Sequence, residues 1–191
     1  MARLLRRITQ RVCCAYRTVS SVAASIISGT PPLEFQARRL TVMYYRNRAA
    51  IEDREEISPR TRLHWLLEAK DQALQDWRLS LLAMKDSDPS LRLRDALVSR
   101  LGDRVNRKHG WITYHMTQFL TGHGCFNVFL YKIKKSATPE CYECTNELDT
   151  AQHNLQFCKA WSVERGDLKR IVGNNLDLPS VIDSILDNLD N

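Results

Sequence analysis

Apolar residues recur every three or four positions along most of the chain, which is the spacing of one face of an α-helix. The first such run covers 3–28 and ends at Gly29, just before Pro31 and Pro32. Glycine is scarce, with 7 residues among 191, and the strict alternation typical of half-buried strands is rare. The pattern therefore predicts a mainly helical protein.

Further helices are predicted wherever the same spacing resumes after a proline, a glycine or a polar loop. Their predicted bounds are 32–51, 60–84, 90–108, 111–122, 125–135, 160–173 and a last helix that begins at Pro179. For 125–135 a strand is the alternative. Three segments follow from this organisation: basic helices at 1–57, a helical connector at 58–135, and a cysteine-rich motif with the C-terminal helices at 136–191.

Charge is distributed unevenly along the chain, whose formal net charge is +6. Residues 136–191 hold 4 Lys and Arg against 10 Asp and Glu, whereas the other 135 residues hold 24 against 12. An RNA or DNA partner is therefore expected to meet the first two-thirds of the chain. The predicted phosphate contacts are Arg3, Arg6, Arg7, Arg11, Arg17, Arg38, Arg39, Arg46, Arg48, Arg104, Arg107, Lys108, Lys132, Lys134 and Lys135.

The start of the chain is open to three interpretations, because residues 1–48 hold 9 arginines and one acid, Glu34. A basic helix of this kind can lie along phosphates. A core helix with a solvated basic face has the same pattern. An amphipathic, arginine-rich and acid-free start also imitates a mitochondrial transit peptide.

Four potential metal ligands, Cys141, Cys144, His153 and Cys158, follow the spacing Cys-x2-Cys-x8-His-x4-Cys. Four thiolate or imidazole ligands fill the tetrahedral shell of a structural zinc ion and leave no position for a reactive water. Two disulfides would leave the histidine unexplained, and chance clustering is the other alternative, since three further cysteines lie outside the motif. The expected fold is thus mainly α, an irregular helical bundle with a small zinc-stapled turn near its C-terminal end.

Several catalytic motifs are absent from the sequence. We find no glycine-rich phosphate loop, no Gly-x-Ser-x-Gly elbow, no His-Glu-x-x-His helix and no close aspartate pair for two magnesium ions. His109, His115 and His123 lack a thiol or carboxylate at ligand spacing and are interpreted as structural or surface groups. Catalysis by this chain alone is not expected.

The compartment follows from two further observations. No run of 18 apolar residues occurs, so no membrane span is expected. Six cysteines without a recognisable secretory leader favour a reducing compartment, either nucleus or cytoplasm. Mitochondrial import is the alternative that the basic start allows.

Three stretches in the same order resemble the region that follows the polymerase core in non-LTR (LINE-type) retrotransposon reverse transcriptases. The first is 12–20 with Ala24 and Gly29-Thr30-Pro31-Pro32. The second is Leu120-Thr121-Gly122-His123-Gly124-Cys125-Phe126 with His115, Thr117, Gln118 and Phe119 before it. The third runs from Pro139-Glu140-Cys141 through Cys144, Asp149-Thr150-Ala151, His153 and Cys158 to Trp161. Tyr142 and Lys159 stand where that family often has proline.

The resemblance implies a Cys-Cys-His-Cys zinc motif at the four ligands and thumb-like helices in 1–57. It also implies handling of RNA and target DNA, with the endonuclease and polymerase of the family in parts that this sequence does not contain. The chain is thus expected to be a non-catalytic C-terminal fragment or remnant that binds nucleic acid, with the catalytic part of a reverse transcriptase as a further partner. Single-stranded RNA contact through Tyr142, Phe157 or Trp161 is a further expectation.

A second hypothesis belongs to a different class. The acidic end with its zinc turn would dock a protein partner, and the basic surface would only keep the chain soluble. Partner binding that depends neither on RNA nor on the salt concentration would favour this alternative.

Overall fold

The computed structural model describes residues 2–85, 87–88, 90–107, 112–144 and 147–187. Eleven α-helices occupy this part of the chain, and its β-type pairing is limited to one antiparallel bridge between Glu140 and Leu148. The prediction of a mainly helical fold is confirmed. The helices are α1 (Ala2–Val12), α2 (Ser21–Ser28), α3 (Leu33–Glu52), α4 (Pro59–Leu82), α5 (Leu91–Leu97), α6 (Leu101–Asn106), α7 (Tyr114–Thr121), α8 (Asn127–Lys132), α9 (Ala151–Gln156), α10 (Ser162–Val172) and α11 (Leu178–Asp187), with a 3-10 turn at Lys159–Trp161.

Helix α2 lies at the centre of the hydrophobic core. Its Ala24, Ile26 and Ile27 are almost fully buried, as expected for a short helix surrounded by other helices. The same core contains residues of α4, α5, α6, α7 and α11: Trp77, Leu81, Leu93, Leu97, Leu101, Leu120, Leu178 and Ile182. Burying these large apolar side chains is the main stabilising contribution, at roughly 1.5–3 kcal/mol for each.

The prediction of a single helix over 3–28 is wrong. The chain leaves α1 at Cys14, whose φ of 51° is left-handed, and the amide of Ala15 donates to the carbonyl of Gln10 at 2.7 Å. Helix α2 then begins where the hydroxyl of Ser20 accepts a hydrogen bond from the amide of Ala23 at 3.0 Å. The break folds α1 back against α2, so one apolar period becomes two packed helices.

The predicted helix over 90–108 is also divided. The amide of Arg100 donates to the carbonyl of Leu97 at 3.1 Å, which closes a turn between α5 and α6. Residues 108–111 are outside the described part. Within 125–135 the helical prediction is confirmed by α8, whose bounds are narrower, and the strand alternative is wrong.

Helices α3 and α4 form a long antiparallel hairpin. Helical spacing in the sequence predicts one apolar stripe on α3, and the structure leaves this stripe exposed: Leu33, Ala37, Leu40, Tyr44 and Ile51. Leu40, Tyr44 and Ile51 share that face and are more than half accessible to solvent. Phe35 and Ala50, on another face, are the buried residues of α3. Arg38 and Arg46 of the same helix lie within ion-pair distance of carboxylates of α4.

Helical spacing in the sequence predicts one apolar face on α4, and only the second half of this face is covered by the core. The face consists of Leu63, Leu66, Leu67, Leu74, Trp77 and Leu81. Trp77 and Leu81 are buried in the core, whereas Leu63, Leu66 and Leu67 are exposed near the hairpin turn. Since the same face continues along the whole helix, the hairpin reaches beyond the core and leaves part of its apolar surface uncovered. The apolar stripe of α1 is exposed in the same way, at Leu4, Ile8 and Val12.

The C-terminal helix α11 has the partner that its apolar face requires. Val181 and Ile182 are buried, and α11 packs against α5. Arg100, between α5 and α6, pairs with Asp183 at 3.0 Å and with Asp187 at 2.5 Å. These ion pairs fix the acidic face of α11 on the basic side of α5 and α6.

Candidate functional site

The four predicted metal ligands come together in the structure. The ligand atoms of Cys141, Cys144, His153 and Cys158 all lie within 4.8 Å of one another. The sulfurs of Cys141 and Cys158 are 3.8 Å apart, and the sulfur of Cys144 is 3.2 Å from Nε2 of His153. Two thiolates on one tetrahedral zinc, each about 2.3 Å from it, hold their sulfurs about 3.8 Å apart. A disulfide needs about 2 Å, so the spacing fits a metal ion and not a covalent bridge.

A reversal of the chain presents the first two ligands. The amide of Cys141 donates to the carbonyl of Glu147 at 2.8 Å, and the amide of Asp149 donates to the carbonyl of Pro139 at 2.9 Å. These bonds flank the Glu140–Leu148 bridge and close a tight loop that contains both cysteines. The short Cys-x2-Cys spacing therefore places two thiols on one loop, as a metal site requires.

Helix α9 presents the other two ligands. The hydroxyl of Thr150 accepts a hydrogen bond from the amide of His153 at 3.0 Å, which starts the helix and fixes the position of the histidine. The amide of Cys158 donates to the carbonyl of His153 at 2.9 Å, which ends it. The His-x4-Cys spacing thus corresponds to one short helix that carries a ligand inside it and another just past its end.

A buried carboxylate joins this loop to α8. Asp149 accepts hydrogen bonds from the amide of Asn127 at 2.7 Å and from the side-chain amide of Asn154 at 2.9 Å. The side chain of Asn127 in turn donates to the carbonyl of Glu140 at 2.7 Å. Sequence reasoning missed this link, because Asn127 lies 22 residues before Asp149 and no local pattern connects them.

The surroundings of the four ligands are those of a closed site. Cys141, His153 and Cys158 are buried, and Cys144 is half-buried. Burial, together with the neighbouring thiol of Cys141, raises the pKa of Cys158, so this thiol is protonated at neutral pH unless a cation binds it. Nδ1 of His153 is buried and accepts or donates no hydrogen bond among the described residues. The four donor atoms fit Zn²⁺. In a metal site, the ring nitrogen of histidine that does not bind the ion usually donates to an acceptor, and Nδ1 of His153 has no such acceptor among the described residues.

The arginines of α1 surround a shallow surface groove, here called the arginine groove. Arg3, Arg6, Arg7, Arg11 and Arg17 line it. All five are exposed, and no carboxylate lies within ion-pair distance of them in the described part of the chain. Arg6 donates to the carbonyls of Arg17 and Val19, both at 3.1 Å, which holds one wall of the groove in place.

The arginines of α3 are shared with carboxylates. Arg38 pairs with Asp76 at 3.6 Å and Arg46 pairs with Glu68 at 2.7 Å, both across the α3–α4 hairpin.

Two other predicted contacts on α3 have different surroundings. Arg48 pairs with Glu52 at 2.8 Å within the helix. Arg39 is half-buried, and its Nε has no hydrogen-bond partner among the described residues. Only part of the basic character of this helix is therefore uncompensated.

The basic residues of α5 and α6 do not face outward as predicted. The Nε of Arg104 donates to the carbonyl of Ile27 at 2.8 Å, and a terminal nitrogen of the same side chain donates to that carbonyl as well. Arg107 donates to the carbonyl of Ile185. Arg92 is half-buried beside Phe119. These side chains join helices, because each reaches a carbonyl at a helix end that has no partner within its own helix.

Three of the four lysines that were predicted to contact phosphates lie in the described part of the chain. Lys132, Lys134 and Lys135 are exposed on α8 and just after it, whereas Lys108 lies outside the described residues. Whether any of these basic residues contacts nucleic acid stays a prediction.

The histidines outside the metal cluster are surface or packing groups, as far as they are described. His115 is exposed, and His123 packs on Phe129 with ring centroids 4.5 Å apart. Burial lowers the pKa of His123. His109 lies outside the described residues.

Three aromatic residues lie next to or near the metal ligands in the sequence. Tyr142, Phe157 and Trp161 are all exposed. Helix α10, which follows Trp161, has no buried residue. Such a surface is available to a base or to a protein partner.

Comparison with known proteins finds one informative relative. The chain is 26% identical over 182 residues to a retrovirus-related Pol polyprotein from the type-1 retrotransposable element R1 4 of Nasonia vitripennis. The match covers 92% of this chain and 45% of that polyprotein, so the chain spans less than half the length of its relative. No family model matches the chain, and no solved structure is similar to it.

The similarity identifies the chain as related to a region of a retrotransposon Pol polyprotein, in agreement with the resemblance to non-LTR elements. The described part of the chain contains no helix with the length and apolar character of a membrane span.

Proposed function

We propose that this chain is a non-catalytic, nucleic-acid-binding region of a LINE-type reverse transcriptase polyprotein, and that the arginine groove is its principal phosphate contact. The observation that carries the proposal is the grouping of five exposed arginines that have no carboxylate neighbour among the residues that the structure describes. A phosphate backbone would supply the missing negative charge, and each contact would release a condensed counterion.

The arginines of α3 and the lysines near α8 are assigned a secondary part in binding. Arg38, Arg46 and Arg48 already share their charge with carboxylates, so exchanging those partners for phosphates gains less. Lys132, Lys134 and Lys135 are exposed and extend the positive surface beyond α1. The proposal leaves the choice between RNA and DNA to experiment.

A structural zinc ion is part of this proposal. Cys141, Cys144, His153 and Cys158 would hold it in a closed tetrahedral shell that supplies no catalytic chemistry. Its role is to fix the loop 139–149 on α9, and through Asp149 to fix α8 with its lysines. The catalytic part of a reverse transcriptase is the proposed protein partner.

Salt-dependent binding of a structured RNA tests the proposal. We expect the affinity of the purified chain to fall steeply with salt, and the combined change of Arg3, Arg7 and Arg11 to Gln to reduce both the affinity and the salt dependence. Each lost phosphate contact lowers the slope of log K against log salt by about 0.7–0.9. The matched control changes three other exposed arginines, Arg60, Arg62 and Arg78, to Gln.

The outcomes separate the hypotheses. Equal losses in the two triple variants would mean that general charge and not the arginine groove governs binding. No binding of RNA or DNA at low salt by the unmodified chain would overturn the proposal.

A protein-interaction module is the second candidate, and the exposed apolar surface of the acidic end favours it. Trp161, Val163 and Ile171 are exposed on and beside α10, the helix that follows the last metal ligand in the sequence. If this surface binds the polymerase, changing Val163 and Ile171 to Ser will weaken that complex without altering RNA affinity. A pull-down with the separately expressed polymerase region measures the first effect, and the salt series measures the second.

A further inference from the structure

A cavity of about 460 Å³ lies between the arginine groove and the proposed metal centre. It is called the central pocket here. Its floor is apolar and consists of Val19, Leu93, Leu120 and Phe126, all of them buried. Ligand sites for small molecules commonly measure about 300–1,000 Å³ and have such floors. The pocket therefore has the size and surface for a small, flat, partly apolar ligand.

The rim of the central pocket is cationic. Arg92 and Lys132 lie on it and supply its positive charge, and no Asp or Glu is among the described residues that line it. His123 also lies on the rim, but its lowered pKa keeps the ring uncharged at neutral pH. An anionic group on the ligand would meet opposite charge on the rim while the remainder reached the apolar floor. The combination selects an anion with an apolar body over a bare ion or an uncharged molecule.

Arg92 is held ready for such a group. It donates to the carbonyl of Phe119 at 3.2 Å and to the side-chain oxygen of Gln152 at 3.3 Å, and its guanidinium lies 5.7 Å from the centre of the Phe119 ring. Neither oxygen is charged, and burial lowers the pKa of Arg92 because its positive charge is not offset. Arginine has five N–H donors, so donors remain for an incoming phosphate.

The central pocket lies next to the arginine groove, which indicates the class of anion that would reach it. Thr18 on its wall directly follows Arg17 of the arginine groove, and Thr150 on the opposite side starts the helix that carries His153. A strand bound along the arginine groove would thus pass the mouth of the pocket before it reached the metal centre. Nucleotides combine a flat, weakly polar base with a phosphate, which is the chemistry that floor and rim accept together.

We propose that the central pocket takes one nucleotide unit of a single-stranded nucleic acid, with the base on the apolar floor and the phosphate at Arg92 and Lys132. This inference rests on the proposed function, because the arginine groove delivers the strand. It adds a discrete site to a surface that would otherwise contact only the backbone.

Uridine 5′-monophosphate titrated into the full chain, followed by calorimetry and by amide chemical shifts, tests the inference. Two variants probe the two halves of the site: Val128→Phe fills the cavity beside its floor, and Lys132→Gln removes a rim charge without touching the core. Their matched controls are Val42→Phe and Lys169→Gln, the same changes at exposed positions of α3 and α10. Circular dichroism verifies that each variant is folded.

The expected pattern is specific. Uridine monophosphate binds the unmodified chain and both controls equally, Val128→Phe weakens it at least tenfold, and Lys132→Gln weakens it by about three- to tenfold, the loss of one charge-assisted hydrogen bond. Inorganic phosphate binds more weakly, is affected by Lys132→Gln and is indifferent to Val128→Phe. Equal binding of the monophosphate to all folded variants overturns the inference.

A labelled single-stranded RNA distinguishes failure of the pocket from failure of the proposed function. One outcome is that RNA affinity falls with salt and with the change of Arg3, Arg7 and Arg11 to Gln, yet is the same in Val128→Phe as in the unmodified chain. In that case the proposed function stands and the pocket is refuted. If the unmodified chain binds no RNA, the proposed function is refuted, and the pocket inference falls with it as a site for a strand.

Discussion

Arg100 and Arg104, in the basic segment formed by α5 and α6, contact neighbouring helices. By contrast, Arg3, Arg7 and Arg11 of α1 face solvent, and no carboxylate in the described part of the chain pairs with them. Both segments alternate arginines with apolar residues at helical spacing, so they look alike in the sequence. The difference arises from the neighbours: α5 and α6 lie beside the ends of α2 and α11, and the carbonyls and carboxylates at those ends bind the guanidinium groups. Positive charge therefore indicates a nucleic-acid contact only where the fold leaves it uncompensated.

Metal removal has the largest expected effect and tests whether the arginine groove is independent of the metal centre. A chelator should unfold the loop 139–158 locally, since structural zinc sites are stabilised by about 10–16 kcal/mol of metal binding. Hydrogen exchange should then accelerate at Cys141 and His153 and remain unchanged in α1. Loss of protection throughout α1 and α2 would contradict the separation of the two regions.

The same site gives a pH dependence with a defined sign. Because burial raises the pKa of Cys158, a metal ion must displace a proton from this thiol at neutral pH. Apparent zinc affinity should therefore fall as pH decreases, and Co²⁺ substitution followed by its thiolate absorption measures it. An affinity that does not change between neutral and mildly acidic pH would exclude thiolate ligation.

Arg104→Gln has the next largest effect. The variant loses a charge-assisted contact with the carbonyl of Ile27 in a half-buried position, which should cost about 2 kcal/mol in the free energy of unfolding. Urea unfolding measures the loss, and Arg78→Gln on the exposed side of α4 is the matched control. A loss of stability no greater than that of the control would mean that Arg104, like the arginines of α1, does not stabilise the fold.

Arg100→Gln should have a smaller effect that depends on pH. Its hydrogen bond with Asp187 lowers the pKa of that carboxylate, so the contribution to stability is present above the ordinary aspartate pKa and is lost as pH falls through the lowered value. The variant should be slightly destabilised at neutral pH and should converge with the unmodified chain in acid. Thermal unfolding at several pH values tests this, and parallel curves at all pH values would refute it.

The smallest effect on stability is expected for the combined change of Arg3, Arg7 and Arg11 to Gln. Because these side chains are exposed and have no carboxylate partner, the free energy of unfolding should change by no more than about 0.5 kcal/mol per position. Urea unfolding of the RNA-binding variants measures it. A larger loss would mean that the groove is a structural element.

The metal cluster was predictable from sequence because both ligand pairs are local: one lies on a tight loop and the other on a single short helix. The buried half of α4, with Trp77 and Leu81, was predictable from periodicity. The break between α1 and α2 had a signal, the capping position of Ser20 three residues before Ala23, which the continuous apolar spacing obscured. Local chemistry therefore sufficed for these features.

Other features depend on contacts between distant residues and had no local signal. Asn127 meets Asp149, and Arg104 meets Ile27, only because helices far apart in sequence are packed together. The stripe of α3 with Leu40 and Tyr44 was wrongly predicted to be buried, because helical spacing identifies an apolar face but not whether a neighbouring element covers it. The central pocket likewise exists only where five separate segments converge.

The uncovered side of the α3–α4 hairpin, with Leu40, Tyr44 and Ile51, has a practical consequence for handling the protein. Salts such as sulfate strengthen association between apolar surfaces, while any added salt weakens contacts with phosphates. If the arginine groove binds nucleic acid as proposed, the salt concentrations that remove nucleic acid during purification will also promote association of the exposed hairpins. Low-salt elution with a competing polyanion is the gentler route to a monodisperse sample.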